Sequence, residues 1–311
     1  MTDDPLVKQF LEKVSFLQMQ RFWELPLQAA RMAFASLALM AGAKNVPIGR
    51  VENIIIRGPE SKIPARIYTP VAAGSGPQPC LLFFHGGGFV CGSLDVYDGF
   101  CRMVAEISGV KVIAVAYRLA PESPFPAAVN DATAAMRWLV ANAATHMVDV
   151  GRIAVGGDSA GGNLAAVTAQ WARMALLPVA CQWLICPMTH VSEQYISIRD
   201  HIDDPILSRE MALWFIEKYL PEGTDPTDTR HSPLLEYDFV GLPPAYIVLA
   251  GKDPLHDEGL AYAEKLQAAN IETTVADYPG MMHDFVFMQS VFPEARTALT
   301  TAAEALRDML R

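Results

Sequence analysis

The chain has no basic run, no C-x-x-C pair and no apolar stretch of membrane length, and each absence removes a class of function. Lys and Arg number 24 against 34 Asp and Glu, a formal charge of −10, which disfavours nucleic acid or an anionic membrane as a partner. The five cysteines (Cys80, Cys91, Cys101, Cys181, Cys186) are odd in number, arguing against a disulfide framework and against a zinc site. They read as small core residues in a reducing compartment. The longest uncharged apolar run, residues 32–43, falls short of the ~20 residues that span a bilayer. The opening Met1-Thr2-Asp3-Asp4-Pro5 is acidic where a signal peptide is basic and then apolar. The expectation is a soluble, cytoplasmic protein.

Apolar side chains, by contrast, are plentiful: 51% of the 311 residues are hydrophobic and 19% charged, which supports a large core and excludes a disordered chain. The rhythm of those residues changes along the chain. Leu6, Phe10, Val14 and Leu17 form one helical stripe with Leu11 at its edge, and after Pro26 a second Ala- and Met-rich helix covers residues 27–40. Residues 51–56 and 63–68 then read as a pair of edge strands, because Pro64 removes a ladder donor. Residues 71–79 are a surface loop by composition. Apolar runs at 80–84, 111–117, 152–155, 180–186, 245–250 and 273–278 alternate with helical stretches. That alternation predicts an α/β fold with a mostly parallel central sheet and helices on both faces.

One interval breaks it. Between Pro187 and Leu242 no strand is convincing, and residues 208–219 form a Ser-capped helix carrying Met211, Leu213, Trp214, Phe215 and Tyr219. An insertion after a strand lies over the end of the sheet where open α/β folds bind ligands. Residues 1–45 and 188–239 are therefore expected to form a helical cap over a catalytic domain of residues 46–187 and 240–311.

The stretch that organises the chain is Val155-Gly156-Gly157-Asp158-Ser159-Ala160-Gly161-Gly162-Asn163. An apolar strand runs into glycines, presents one serine and leaves through glycines into a helix. In G-x-S-x-G the serine sits on a strained strand-to-helix turn where neighbouring side chains would collide. A tight turn or a phosphate loop could share the glycines, but neither a following Lys-Ser/Thr nor the spacing G-x-G-x-x-G is present.

A serine hydroxyl needs a base, and the base needs an orienting acid. Asp253 follows the buried strand 245–250, and His283 follows a Pro279-Gly280 turn after strand 273–278. Only His256 and His283 come after Asp253, and His256 is too near it in the chain to reach Ser159. Ser159, Asp253 and His283 are thus the expected triad. Amides of Gly87, Gly88 and Ala160 are the expected oxyanion donors, with His85 and Gly86 supporting the glycine-rich loop. Phe22, Trp23, Met40, Ile206, Trp214 and Phe215 are candidates for the wall of the substrate pocket.

Together, His85-Gly86-Gly87-Gly88, Tyr117-Arg118-Leu119-Ala120-Pro121-Glu122, Gly157-Asp158-Ser159-Ala160-Gly161-Gly162, Asp253-Pro254-Leu255 and His283 resemble the hormone-sensitive-lipase-like family of α/β-hydrolase esterases. The resemblance runs from about Ile54 to the C-terminus. It implies an α/β-hydrolase fold with a helical cap and a carboxylesterase acting on short- to medium-chain acyl esters without a cofactor or metal. Its partner would be a small-molecule ester, and because relatives often pair through sheet edges, a homodimer is the expectation. Two positions depart from the pattern. His283 is followed by Asp284 where the family usually has Gly, and His256 stands where an Arg commonly follows the leucine. An amidase, deacetylase or lactonase could use the same machinery. A receptor on this body would be expected to have lost His283.

Overall fold

The alternating apolar runs assemble into one eight-stranded sheet of order β1-β2-β4-β3-β5-β6-β7-β8. Its strands are β1 (Arg50–Arg57), β2 (Lys62–Thr69), β3 (Gln78–Phe84), β4 (Lys111–Val115), β5 (Val148–Asp158), β6 (Cys181–Ile185), β7 (Ala245–Ala250) and β8 (Thr273–Tyr278). The computed structural model describes residues 10, 12–15, 21–58, 60, 62–191 and 206–311. From β4 through β8 every neighbouring pair is parallel, and only β1–β2 and β2–β4 are antiparallel.

Alternation along each strand splits the core in two. Leu82 and Phe84 of β3 face helices α3 (Ala127–Asn142), α4 (Ala160–Met174) and α6 (His256–Ala268), while Leu81 and Phe83 face α2 (Asp98–Ser108) and α7 (Pro293–Met309). All four side chains are buried, and full burial of each stabilises the fold by about 1.5–3 kcal/mol. A strand covered on both faces reads as a continuous apolar run, which is how 80–84 and 245–250 stand out in the sequence.

The first two strands need a correction. β1 is the edge, but β2 is paired on both sides. Pro64 is tolerated there because the ladder with β4 begins one residue later and runs from Ala65 to Tyr68. The Pro64 carbonyl still accepts from the Ala116 amide at 2.9 Å.

Two helices outside the layers matter for the site. They are α1 (Leu27–Ala41) and α5 (Arg209–Tyr219), whose N-cap Ser208 accepts from the Met211 amide at 3.3 Å. The N-terminal segment and the insertion meet through aromatic rings, with Phe22 5.6 Å from Trp214 and 6.1 Å from Phe215. Arg31 ties α1 to the body: its guanidinium donates to the carbonyls of Val90 (2.8 Å) and Ala120 (3.0 Å) and pairs with Glu122 at 2.7 Å. Of the first predicted stripe, Phe10 and Val14 are buried with Ala41, Met288 and Val291, while Leu6, Leu11 and Leu17 lie outside the described residues. Among the described residues no helix is long and apolar enough to cross a membrane.

Candidate active site

β5 delivers Asp158 and then Ser159 into the first turn of α4. Ser159 has φ 51° and ψ −118°, a conformation that costs a non-glycine residue on the order of 1–3 kcal/mol. The surroundings hold it there. Its amide donates to the Ile185 carbonyl at 2.9 Å, and its carbonyl accepts from Asn163 (3.0 Å) and Met188 (3.1 Å). A Cβ at Gly157 or Gly161 would strike the Phe84 carbonyl, so both glycines are required for the helix to leave so close to β3.

The expected acid and base arrive from the next strand ends. Asp253, just past β7, accepts from the Leu255 amide at 2.8 Å with Oδ1 and faces His283 Nδ1 at 2.7 Å with Oδ2. His283 Nε2 lies 3.0 Å from Ser159 Oγ. All three side chains are buried. His256, by contrast, opens α6 and engages Asp257 (3.1 Å) and Asp277 (3.3 Å).

Burial disfavours the charged form of His283, but the charges of and hydrogen bonds to Asp253 and Asp284 outweigh it, so its pKa is raised well above 6.5. The sequence alone suggests an unperturbed histidine. The base works only when neutral, so activity is expected to fall as pH drops through a midpoint well above 6.5. A pH profile of kcat/KM checks this, and an acid limb at or below 6.5 contradicts it.

The glycine-rich loop after β3 is where the first two expected oxyanion donors lie. Gly87 and Gly88 have φ of 106° and 61°, conformations that side chains resist. Among the described residues neither of their amides has an acceptor. The Ala160 amide lies in the first turn of α4, where N–H groups have no intrahelical partner. The Gly86 amide is already used, donating to Asp158 Oδ1 at 2.9 Å. His85 anchors the loop. Its Nδ1 donates to the Gly86 carbonyl at 2.8 Å, its ring stacks on Tyr117 at 4.5 Å, and the Tyr117 hydroxyl donates to its carbonyl at 2.6 Å. Burial pushes the His85 pKa down to about 4, so it is neutral and carries no catalytic proton.

Ser159, His283, Gly87 and Gly88 open on a largely apolar cavity. Of the six predicted wall residues, Phe22, Ile206 and Phe215 line it, and Trp23, Met40 and Trp214 do not. Trp214 packs edge-on against Phe22 and Phe215 behind the wall, Trp23 packs on the main core, and Met40 joins the cluster around Phe10 and Val14. From α1, Phe34, Leu37, Ala38, Leu39 and Ala41 line it. The i, i+3, i+4, i+7 spacing of Phe34, Leu37, Ala38 and Ala41 was the available signal for four of these five, and Met40, like Leu39, falls off that stripe.

Buried acids are the other residues that motif reasoning missed. Asp158 accepts from the Tyr97 hydroxyl at 2.8 Å as well as from Gly86. Glu258 accepts from the amides of Thr189 (2.7 Å) and His190 (3.1 Å), fixing the chain that leaves β6. Cys186, Asp253 and His283 are the described ligand-type side chains whose donor atoms come within 4.8 Å of one another. They suit a metal poorly. The carboxylate and imidazole are already bonded to each other, and burial pushes the Cys186 thiol pKa well up, away from the thiolate that coordinates.

Sheet order, parallel crossovers and a strained serine at the strand-to-helix turn define the class: an α/β hydrolase. The sequence profile of the alpha/beta hydrolase fold matches residues 81–287. The chain belongs to that family, in its hormone-sensitive-lipase-like branch. It is 41% identical to esterase LipI of Mycobacterium tuberculosis, covering 84% of this chain and 82% of that one. It is 38% identical to an ethyl acetate hydrolase of Pseudomonas putida, covering 91% and 90%. Among solved structures, a hyperthermophilic esterase from the archaeon Pyrobaculum calidifontis superposes with a TM-score of 0.91 at 37% identity, covering 99% of both chains.

Proposed function

We propose that the protein is a serine carboxylesterase that hydrolyses short- to medium-chain acyl esters through Ser159, His283 and Asp253. The observation that carries this reading is the 3.0 Å approach of His283 Nε2 to Ser159 Oγ, with Asp253 2.7 Å from the other ring nitrogen. Esterase relatives at about 40% identity over most of the chain support the reaction class.

In the proposed cycle Ser159 Oγ attacks the ester carbonyl while its proton passes to His283 Nε2. The carbonyl electron pair moves onto oxygen, which the amides of Gly87, Gly88 and Ala160 receive. The tetrahedral species collapses, the C–O bond to the alcohol breaks, and His283 returns the proton to the leaving oxygen. Water then repeats the sequence on the acyl-enzyme. The N-terminal helices and the insertion around α5 act as the cap, a role supported by the residues both contribute to the cavity wall. A cytoplasmic setting fits the five buried, unpaired cysteines. A homodimer joined through β8 fits that strand's place at the outer edge of the sheet.

A series of p-nitrophenyl esters tests the substrate class. Turnover is expected to peak at butyrate or octanoate and to fall away at palmitate. A maximum at palmitate overturns the chain-length assignment.

A further inference from the structure

Asp284 stands where the family pattern has glycine, and the structure shows why glycine would be the easier residue. Its φ is 50°, in the left-handed region, which an aspartate enters far less readily than glycine. The side chain does not use this turn to reach solvent. It points into the cavity, is largely buried, and brings Oδ2 to 3.2 Å from His283 Nε2, the same nitrogen that meets Ser159 Oγ. Its other oxygen, Oδ1, is buried with no hydrogen-bond partner among the described residues.

The acid whose charge acts on it is Asp158, itself fixed by the Gly86 amide and the Tyr97 hydroxyl. Burial, together with the mutual repulsion of the two carboxyls, raises the pKa of both, most strongly for Asp158. The rise is the smaller one at Asp284, whose carboxyl lies beside the imidazole and is held down by its positive charge.

Resting on the triad assignment made above, we infer that Asp284 is a second positioning carboxylate for His283. It holds the imidazolium from the Nε2 side while Asp253 holds Nδ1. The differential is in the protonation state of the ring. Neutral His283 turns the Nε2 lone pair toward Ser159, and a carboxylate 3.2 Å away gains nothing from it. Once Ser159 has given up its proton, Nε2 carries N–H and positive charge, and Asp284 attracts both. The interaction is therefore stronger after attack than before, the condition for it to raise kcat rather than tighten substrate binding. Asp284 neither gains nor loses a proton in the cycle; the proton taken from Ser159 still leaves on the departing alcohol.

Other titratable groups also face His283, and they remain in place when Asp284 is changed. They are Asp253 beyond β7, Glu258 on α6, Asp158 at the end of β5, Cys186 after β6 and, through Asp158, Tyr97. The test compares Asp284→Gly, which suits the left-handed backbone, with Asp284→Asn, which keeps the side-chain volume and also tolerates that conformation. In both, the acid-limb midpoint of kcat/KM is expected to fall by about one pH unit. Plateau kcat is expected to drop by about tenfold with KM within about twofold, the signature of lost transition-state stabilisation. Midpoint and kcat unchanged in both variants, with Ser159 still labelled by a fluorophosphonate, overturn the inference. Failure of the triad reading looks different, because then the unmodified protein itself fails to label at Ser159.

Discussion

Replacing Ser159 by alanine is expected to lower kcat by about 10⁴-fold or more, with the folded state unchanged. The backbone supports the second half of that expectation. The strained φ of 51° belongs to a residue with a Cβ already present, and the hydrogen bonds that pin it run through its amide and carbonyl. Alanine keeps all of these. It removes Oγ alone, and with it the partner of His283 Nε2. The residual rate would come from the oxyanion amides and from binding, which outlast loss of the nucleophile in other triads. Steady-state kinetics on p-nitrophenyl butyrate, with thermal melting as the control on folding, check this. A variant that retains most of its turnover contradicts the assignment.

Asp253→Asn is expected to cost about 10³–10⁴ in kcat although it changes one atom. The Leu255 amide would keep its acceptor, because the amide oxygen can replace Oδ1. The NH₂ group then faces His283 Nδ1, where Oδ2 now lies at 2.7 Å. A donor at that position forces the imidazole proton onto Nε2, and the lone pair that should receive the Ser159 proton disappears. Kinetics across pH separate this from a simple loss of basicity: the wrong tautomer depresses the plateau itself. A loss of less than about tenfold at the plateau means Asp253 does not orient the ring.

Much of this site was legible in the sequence because its parts are local. A nucleophile elbow is a short segment whose glycines answer to nearby backbone, here the Phe84 carbonyl. Acid and base each follow an apolar strand by a few residues, so chain order alone places them at one end of a parallel sheet. Cavity walls are less legible. Periodicity marks which residues of a helix share a face, yet it does not say whether that face meets the substrate or another helix. Trp214 and Phe215 are adjacent and both aromatic, and only Phe215 reaches the cavity. Pro64 illustrates the same gap in the sheet, since its tolerance depends on where the β4 ladder begins. The Asp158–Asp284 pair was least visible. Its members are far apart in sequence, and a carboxylate next to a catalytic histidine reads as a solvent-facing charge until the left-handed turn at Asp284 is known.

If Ser159 is the activated nucleophile of this chain, covalent labelling will find it. Reaction with a fluorophosphonate, digestion and peptide mass spectrometry should give one adduct per chain, on Ser159, and none after Ser159→Ala. No adduct on the intact protein, or an adduct on another serine that persists in the variant, would contradict the account.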